Sequence, residues 1–469
     1  MSSFVVLLIS HFWLISCIYG ITRWDVFSTK TNYKWSHFSS ATTDDGFMFS
    51  TGSKTCNAIH VSMVSRHGAR WPSDGDMEDI KELHRNIIES KPSTVYPELD
   101  SWIPRYNESD EKQLTTEGKK EQEDLGARLG IRFKTLFNNN GKNVKFVSSS
   151  KSRTKDSNEY FHKGLSAGVQ SVIEYTNEVN DGIVRPYDDC DNYEETVESD
   201  ENMKEFNKFS KSSVLVNIID SVKEKLGISF DVSDDDITII NELCAHEKAI
   251  FNEDAVWCNL LTDEERRILE YRSDIENYYE ASYGHQINTK ISCPLIGDMF
   301  HTMDNAINNP WNYSNVAAHG YLAGKFYNGH SETLLPLMTS LELFKDNASL
   351  LSTNMAAMAN RKFKTSIIDP SSANLAFVLY VCNDSDTTDR SFMVKLFVNE
   401  KPVSIPACRG DMCTYETVRQ YYSDLIDKCD LEAICDDDIC DDDDATCRAS
   451  GMDTSLAILL LLVLFCKIL

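Results

Sequence analysis

The chain is short of positive charge. Forty-six Lys and Arg stand against 73 Asp and Glu, a formal net charge of −27 over 469 residues. Nucleic-acid binders need an overall or local excess of basic side chains, so nucleic acid is excluded as the main partner. Metal-ligand spacing is lacking too: the 14 cysteines are scattered, with no paired CxxC to build a structural zinc site. The acidic run "CDDDICDDDD" (435–444) lacks the ordered spacing and glycine turn of a calcium loop, and reads as a solvated spacer. No internal repeat is found. No central apolar run approaches the ~20 residues that cross a bilayer. What remains is 42% hydrophobic and 25% charged, the composition of a globular chain long enough for two domains.

The two ends read as processing signals. Residues 4–19, "FVVLLISHFWLISCIY", predict a secretory signal peptide over 1–20, although its start lacks Lys or Arg. The last fourteen residues, "LAILLLLVLFCKIL", follow the small residues Ala449, Ser450 and Gly451. Residues 451–469 therefore predict a GPI-type attachment signal, with a tail anchor as the alternative. Cysteine usage agrees with export to the cell surface or the exterior. Setting aside Cys17 and Cys466 in the end segments leaves an even 12, enough for six disulfides. Cys408/Cys413 and Cys244/Cys258 are spaced as local loops, and Cys56 is expected to pair with a distant partner, for example Cys382. Sequons at Asn107, Asn312, Asn347 and Asn383 predict a glycoprotein. The terminal "CKIL" is not a retention signal of the KDEL type.

Within these ends the pattern is α/β. "NAIHVSMVS" (57–65) alternates with Ile59, Val61 and Met63 apolar, predicting a strand that ends at Arg66 and His67. After the loop "GARWPSDGD", Met77, Ile80, Leu83 and Ile87 recur at helical spacing. A second helix is predicted at 117–137 from Leu125, Leu129, Phe133 and Leu136. "NVKFVSSSKSR" (143–153) repeats the strand-then-basic-loop layout, and strand signals return at 373–382 and 392–403. Residues 155–290 are acidic and helical in pattern. The expected organisation is a core of 21–154 and 291–428, a helical cap at 155–290 and an acidic stalk at 429–450.

The loop "RHGARWP" concentrates chemistry at a predicted strand end, where α/β proteins place their sites. Guanidinium groups hold phosphate oxygens through paired, charge-assisted hydrogen bonds. A neutral imidazole between them can attack phosphorus and carry the phosphoryl group. Gly68 permits close backbone approach and Pro72 stiffens the exit.

These residues resemble the RHGxRxP signature of the histidine acid phosphatases. The resemblance implies a histidine-phosphatase, phosphoglycerate-mutase-like sandwich core with an inserted helical cap. It implies His67 as nucleophile, with Arg66 and Arg70 binding the transferred phosphate. A further phosphate-binding arginine follows a Ser-rich strand end in that family, and "SSSKSR" supplies Arg153. The late His-Asp pair of most members is missing. Instead "NGHSETLLPL" (328–337) resembles the His-Ala-Glu motif of the multiple inositol polyphosphate phosphatase branch, with Ser331 in place of Ala. That match implies phosphate binding by His330 and proton donation by Glu332. A carboxyl beside a bound polyanion keeps its proton more readily, because like charge opposes ionisation.

"FSTKTNYKW", "ASYGHQINTKISCPLIGDMF" and "RKFKTSIIDPSSANLAFVLYVC" extend the resemblance across about 27–436. It implies stepwise dephosphorylation of inositol polyphosphates, phytate included, with 2,3-bisphosphoglycerate as a further candidate. No cofactor or metal is expected, because arginines supply the charge neutralisation. Lys151 is a candidate contact to neighbouring phosphates or a solvent-facing lysine. The alternatives are a broad-specificity acid phosphatase and an inactive surface receptor for inositol phosphates.

Overall fold

In the computed structural model, residues 27–36, 46, 48–138, 143–251, 253, 255–309, 321–384, 390–410 and 412–436 are described. Nine strands form one sheet: β1 (Met48–Thr51), β2 (Lys54–Arg66), β3 (Val144–Ser148), β4 (Asn177–Val179), β5 (Gly324–Gly329), β6 (Asn374–Asp384), β7 (Arg390–Val398), β8 (Lys401–Val403) and β9 (Met412–Thr414). The main order is β4-β3-β5-β2-β6-β7-β8, with β1 beside β2 and β9 beside β7. Strands β4, β3, β5 and β2 run parallel, whereas β6 and β7 add antiparallel edges. Four parallel strands therefore end on the same side.

The strand expected at 57–65 is present, but its alternation is broken. A bulge between Ala58 and His60 shifts the register against β6. Val61 and Met63 pack with Leu125 and Phe161 on one face, while Ile59 joins the core on the other. An inserted residue reverses side-chain parity, which simple period-2 reading does not see.

The helices used below are α1 (Asp74–Ser90), α2 (Thr116–Arg132), α3 (Ser152–Val169), α4 (Ser213–Leu226), α5 (Asp234–Phe251), α6 (Asp263–Ala281), α7 (Cys293–Asn308) and α8 (Ser331–Ser340). Helix α1 buries Met77, Ile80, Leu83 and Ile87 as its spacing predicts, worth roughly 1.5–3 kcal/mol per large apolar side chain. Ser73 caps it reciprocally with Asp76. Helix α2 stops at Arg132, short of the predicted 137, yet Phe133 and Leu136 remain buried in the following turn.

Helices α2 and α3 lie together on one face of the sheet. A Cβ at Gly126 would collide with the Phe161 carbonyl, and one at Gly164 with that of Glu123, so glycine sets their close approach. Helices α1 and α4–α8 share the core on the opposite face. The expected cap boundary at 155 thus falls inside α3, whose Phe161, Leu165 and Val169 bury against the sheet. Strand β4 also belongs to the sheet, so the helical segment beyond the sheet layer starts after Val179.

Five disulfides occur among the described residues: Cys56–Cys382, Cys190–Cys435, Cys244–Cys258, Cys293–Cys429 and Cys408–Cys413. The first joins directly paired positions on β2 and β6. Cys429 and Cys435 correct the stalk expectation at its start. They staple residues 429–435 to the body, where Leu431 and Ile434 pack near Tyr193 and Ile291. The two end segments expected to be signals, residues 437–450 and Asn312 lie outside the described residues. Asn107 and Asn347 are exposed, and Asn383 is half-buried. Among the described residues, no helix is long and apolar enough to cross a membrane.

Candidate active site

Parallel pairing brings the two distant motifs together. Arg66, the last residue of β2, lies opposite Gly329, the last of β5. His67 and His330 are the next residues on each chain, so they emerge side by side. The His67 N–H donates to the Gly329 carbonyl at 3.0 Å, and the rings sit edge to face at 5.5 Å. On the other flank of β5, β3 pairs Ser148 with Asn328 and leads through Ser149 into α3, which carries Arg153 in its first turn.

The His67 imidazole is buried, and its Nδ1 lies 2.8 Å from the Gly68 carbonyl. A carbonyl only accepts, so Nδ1 carries the proton and Nε2 keeps its lone pair. Burial first, then His330, Arg66 and Arg153, hold this ring neutral well below its ordinary range.

The loop around it is clamped from several sides. Gly68 rests on α2 so closely that a Cβ there would collide with the Gly118 carbonyl. Its sequence signal of close approach is met by protein backbone. Ser157 Oγ accepts from the Gly68 N–H, Glu121 from the Ala69 N–H, and Gln122 donates to the Arg66 carbonyl. Buried Glu121 also accepts from Tyr33 N and Ser371 Oγ. It is pinned by three segments of chain.

Each arginine is fixed on one side. Arg66 Nη1 donates to the carbonyls of Thr29 and Asp369 at 2.8 and 2.7 Å, with the Asp369 carboxylate at 3.5 Å. Burial pushes the Asp369 carboxyl up to about 6, with Arg66 pulling the other way. Arg70 donates from Nη1 to the Trp71 carbonyl. Arg153 donates to His330 Nδ1 at 3.1 Å, while Ser149 Oγ lies 3.0 Å from His330 Nε2. Burial, then Arg153 and Arg185, hold the His330 ring neutral down to about 2. The Nε atoms of Arg66 and Arg153 are buried without a partner among the described residues. These are donors suited to an anion.

Arg66, His67, Arg70, Arg153, His330 and Glu332 line one cavity of about 220 Å³. Glu332 stands exposed in the first turn of α8. Lys151 is exposed at the N-cap of α3 and lies outside the lining. Sequence reasoning missed Asp369 and Glu121, which are single acids far from either motif. It also missed the opposite wall, where Lys30, His246, Asn277 and Glu280 face the cavity. Burial, then Lys30 and Arg70, keep His246 neutral down to about 3. Lys30 and Asp369 fall within stretches that carry the family resemblance, which was the available signal.

Residues 59–399 match the histidine phosphatase superfamily, branch 2. A multiple inositol polyphosphate phosphatase 1 of Gallus gallus is 31% identical over 81% of this chain and 85% of its own length. That of Homo sapiens is 27% identical over 81% and 82%. In fold, the chain resembles the multiple inositol polyphosphate phosphatase of Bifidobacterium longum, solved in complex with inositol hexasulfate. The TM-score is 0.67 at 16% identity, covering 86% of this chain and 97% of that one. The phytase from D. castellii also scores 0.67, at 17% identity over 81% and 82%. These likenesses confirm a histidine-phosphatase fold for a sheet whose strand ends carry two histidines, three arginines and a glutamate. The chain belongs to branch 2 of the histidine phosphatase superfamily.

Proposed function

We propose that this phosphatase removes phosphates stepwise from inositol polyphosphates, phytate included, through a phosphohistidine. The carrying observation is the convergence of both motifs on one cavity, with His67 Nε2 unprotonated and three guanidinium groups around it. Kinship with inositol polyphosphate phosphatases over most of the chain supports the substrate class.

In the first half-reaction, Nε2 of His67 bonds to phosphorus as the ester P–O bond breaks. Arg66, Arg70 and Arg153 stabilise charge on the phosphoryl oxygens. An inositol alkoxide is a poor leaving group, and Glu332 supplies its proton, a contribution of about 10²–10⁴-fold. In the second, water attacks phosphorus, the P–N bond breaks and Glu332 recovers a proton from that water. His330, which the motif implies as a phosphate ligand, has its two ring nitrogens against Arg153 and Ser149, and takes part through Arg153. The five disulfides support passage through an oxidising compartment and hence export.

The test is phosphate release from phytate with separation of products, beside a small aryl phosphate, on protein recovered from outside and inside the producing cell. Progressive appearance of lower inositol phosphates from the external fraction is expected. Strong preference for the aryl ester would favour a broad acid phosphatase, and activity confined to the interior would count against export.

A further inference from the structure

Behind the cavity wall, two hydroxyls that play no part in the chemistry above join His330 in a chain of hydrogen bonds. Ser149 and Thr154 are fully buried, and their hydroxyl oxygens lie 2.7 Å apart. Ser149 Oγ is 3.0 Å from His330 Nε2, and Thr154 Oγ1 is 2.8 Å from the Lys151 carbonyl. The Lys151 N–H also points to Ser149 Oγ, at 3.3 Å.

The direction of this chain is set at both ends. Arg153 is a donor only, so His330 Nδ1 must accept from it and Nε2 must hold the proton. A backbone carbonyl is an acceptor only, so the Thr154 hydroxyl can give its proton to Lys151. Thr154 then accepts from Ser149, and Ser149 accepts from His330 Nε2 and from the Lys151 N–H. The Ser149 carbonyl, 3.2 Å from Thr154 Oγ1, is a second acceptor for the same proton, so Thr154 donates to a carbonyl either way and the two ends agree. The reverse order would turn an Nδ1–H toward the Arg153 N–H and set two donors against each other.

Resting on the phosphatase reading, we propose that the Ser149–Thr154 hydroxyl pair is a positioning relay. It fixes His330 as its Nε2–H tautomer, so that Nδ1 holds the Arg153 guanidinium across the phosphate cavity. Neither hydroxyl touches substrate. Their effect passes through the ring and then through Arg153. A displaced catalytic group costs as much as about 10²-fold.

The relay is tested with Ser149→Ala, Thr154→Val and the rescue variant Thr154→Ser. In [15N]histidine-labelled wild type, subtraction of the His330→Gln spectrum should reveal an Nε2–H tautomer at His330. Thr154→Val should give a mixture of tautomers, with kcat on an aryl phosphate lowered about ten- to a hundredfold and weaker affinity for inorganic phosphate. Thr154→Ser should restore all three, which a purely structural role for the residue would not require. An Nδ1–H tautomer in the wild type would overturn the relay whether or not the protein turns over. So would Ser149→Ala and Thr154→Val with wild-type kcat and phosphate affinity. A wild type that shows the expected tautomer but releases no phosphate from any ester would overturn the functional reading and leave the relay standing.

Discussion

The two walls of the cavity are built differently. One is made at the ends of β2, β3 and β5, where Arg66, His67, Arg153, His330 and Glu332 sit within a few residues of a strand terminus. Their places follow from parallel register, and backbone carbonyls or buried acids fix the Arg66 and Arg70 guanidiniums. The other wall comes from the amino-terminal segment and helices α5 and α6. It presents Lys30, His246, Asn277 and Glu280, a mixture of charges rather than a uniform cradle. Lys30 there is paired with Glu242 at 3.3 Å. The difference teaches a division of labour. The strand-end wall holds the groups suited to any phosphate ester, and the helical wall is expected to meet the parts of the substrate that do not react.

Substitutions can break that division. The largest effect is expected at the strand-end wall. Glu332→Gln should lower kcat on inositol phosphates by about 10²–10⁴-fold, the usual worth of general acid catalysis. With an activated aryl phosphate, whose leaving group needs little protonation, steady-state kinetics should show a much smaller loss. Equal losses on both esters would assign Glu332 to binding instead. A smaller effect is expected across the cavity. Lys30→Ala should raise KM for phytate about tenfold, the change that ~1.4 kcal/mol brings, and should raise KM for the aryl ester less. Equal shifts for both would erase the proposed difference between the walls.

The same division explains what could be read from the sequence. The strand-end wall was legible because its residues lie in contiguous runs, "RHGARWP", "SSSKSR" and "GHSE", each just past a strand. Helix α1 was legible because Met77, Ile80, Leu83 and Ile87 all face one core. The supports were not. Asp369 reaches Arg66 from 303 residues away, and Glu121 gathers Tyr33, Ala69 and Ser371 from three segments. No local pattern marks such acids. The bulge before His60 was hidden because one inserted residue leaves an apolar run unchanged in composition. The docking of residues 429–435 was hidden because their partners Cys293 and Cys190 are distant, and acidic composition alone suggests solvent. Local disulfides such as Cys244–Cys258 needed no such knowledge.

If His67 carries the phosphoryl group, rapid quenching with 32P-labelled phytate should trap it there. Burial first, then His330, Arg66 and Arg153, hold His67 neutral below the ordinary imidazole range, so the lone pair persists into more acidic solution than a free imidazole's would. Label should therefore accumulate on His67 at pH 5 as well as at pH 7, behave as an acid-labile and base-stable phosphoramidate, and be absent from His67→Ala. Label on another residue, or an undiminished rate of phytate turnover by His67→Ala, would contradict the account.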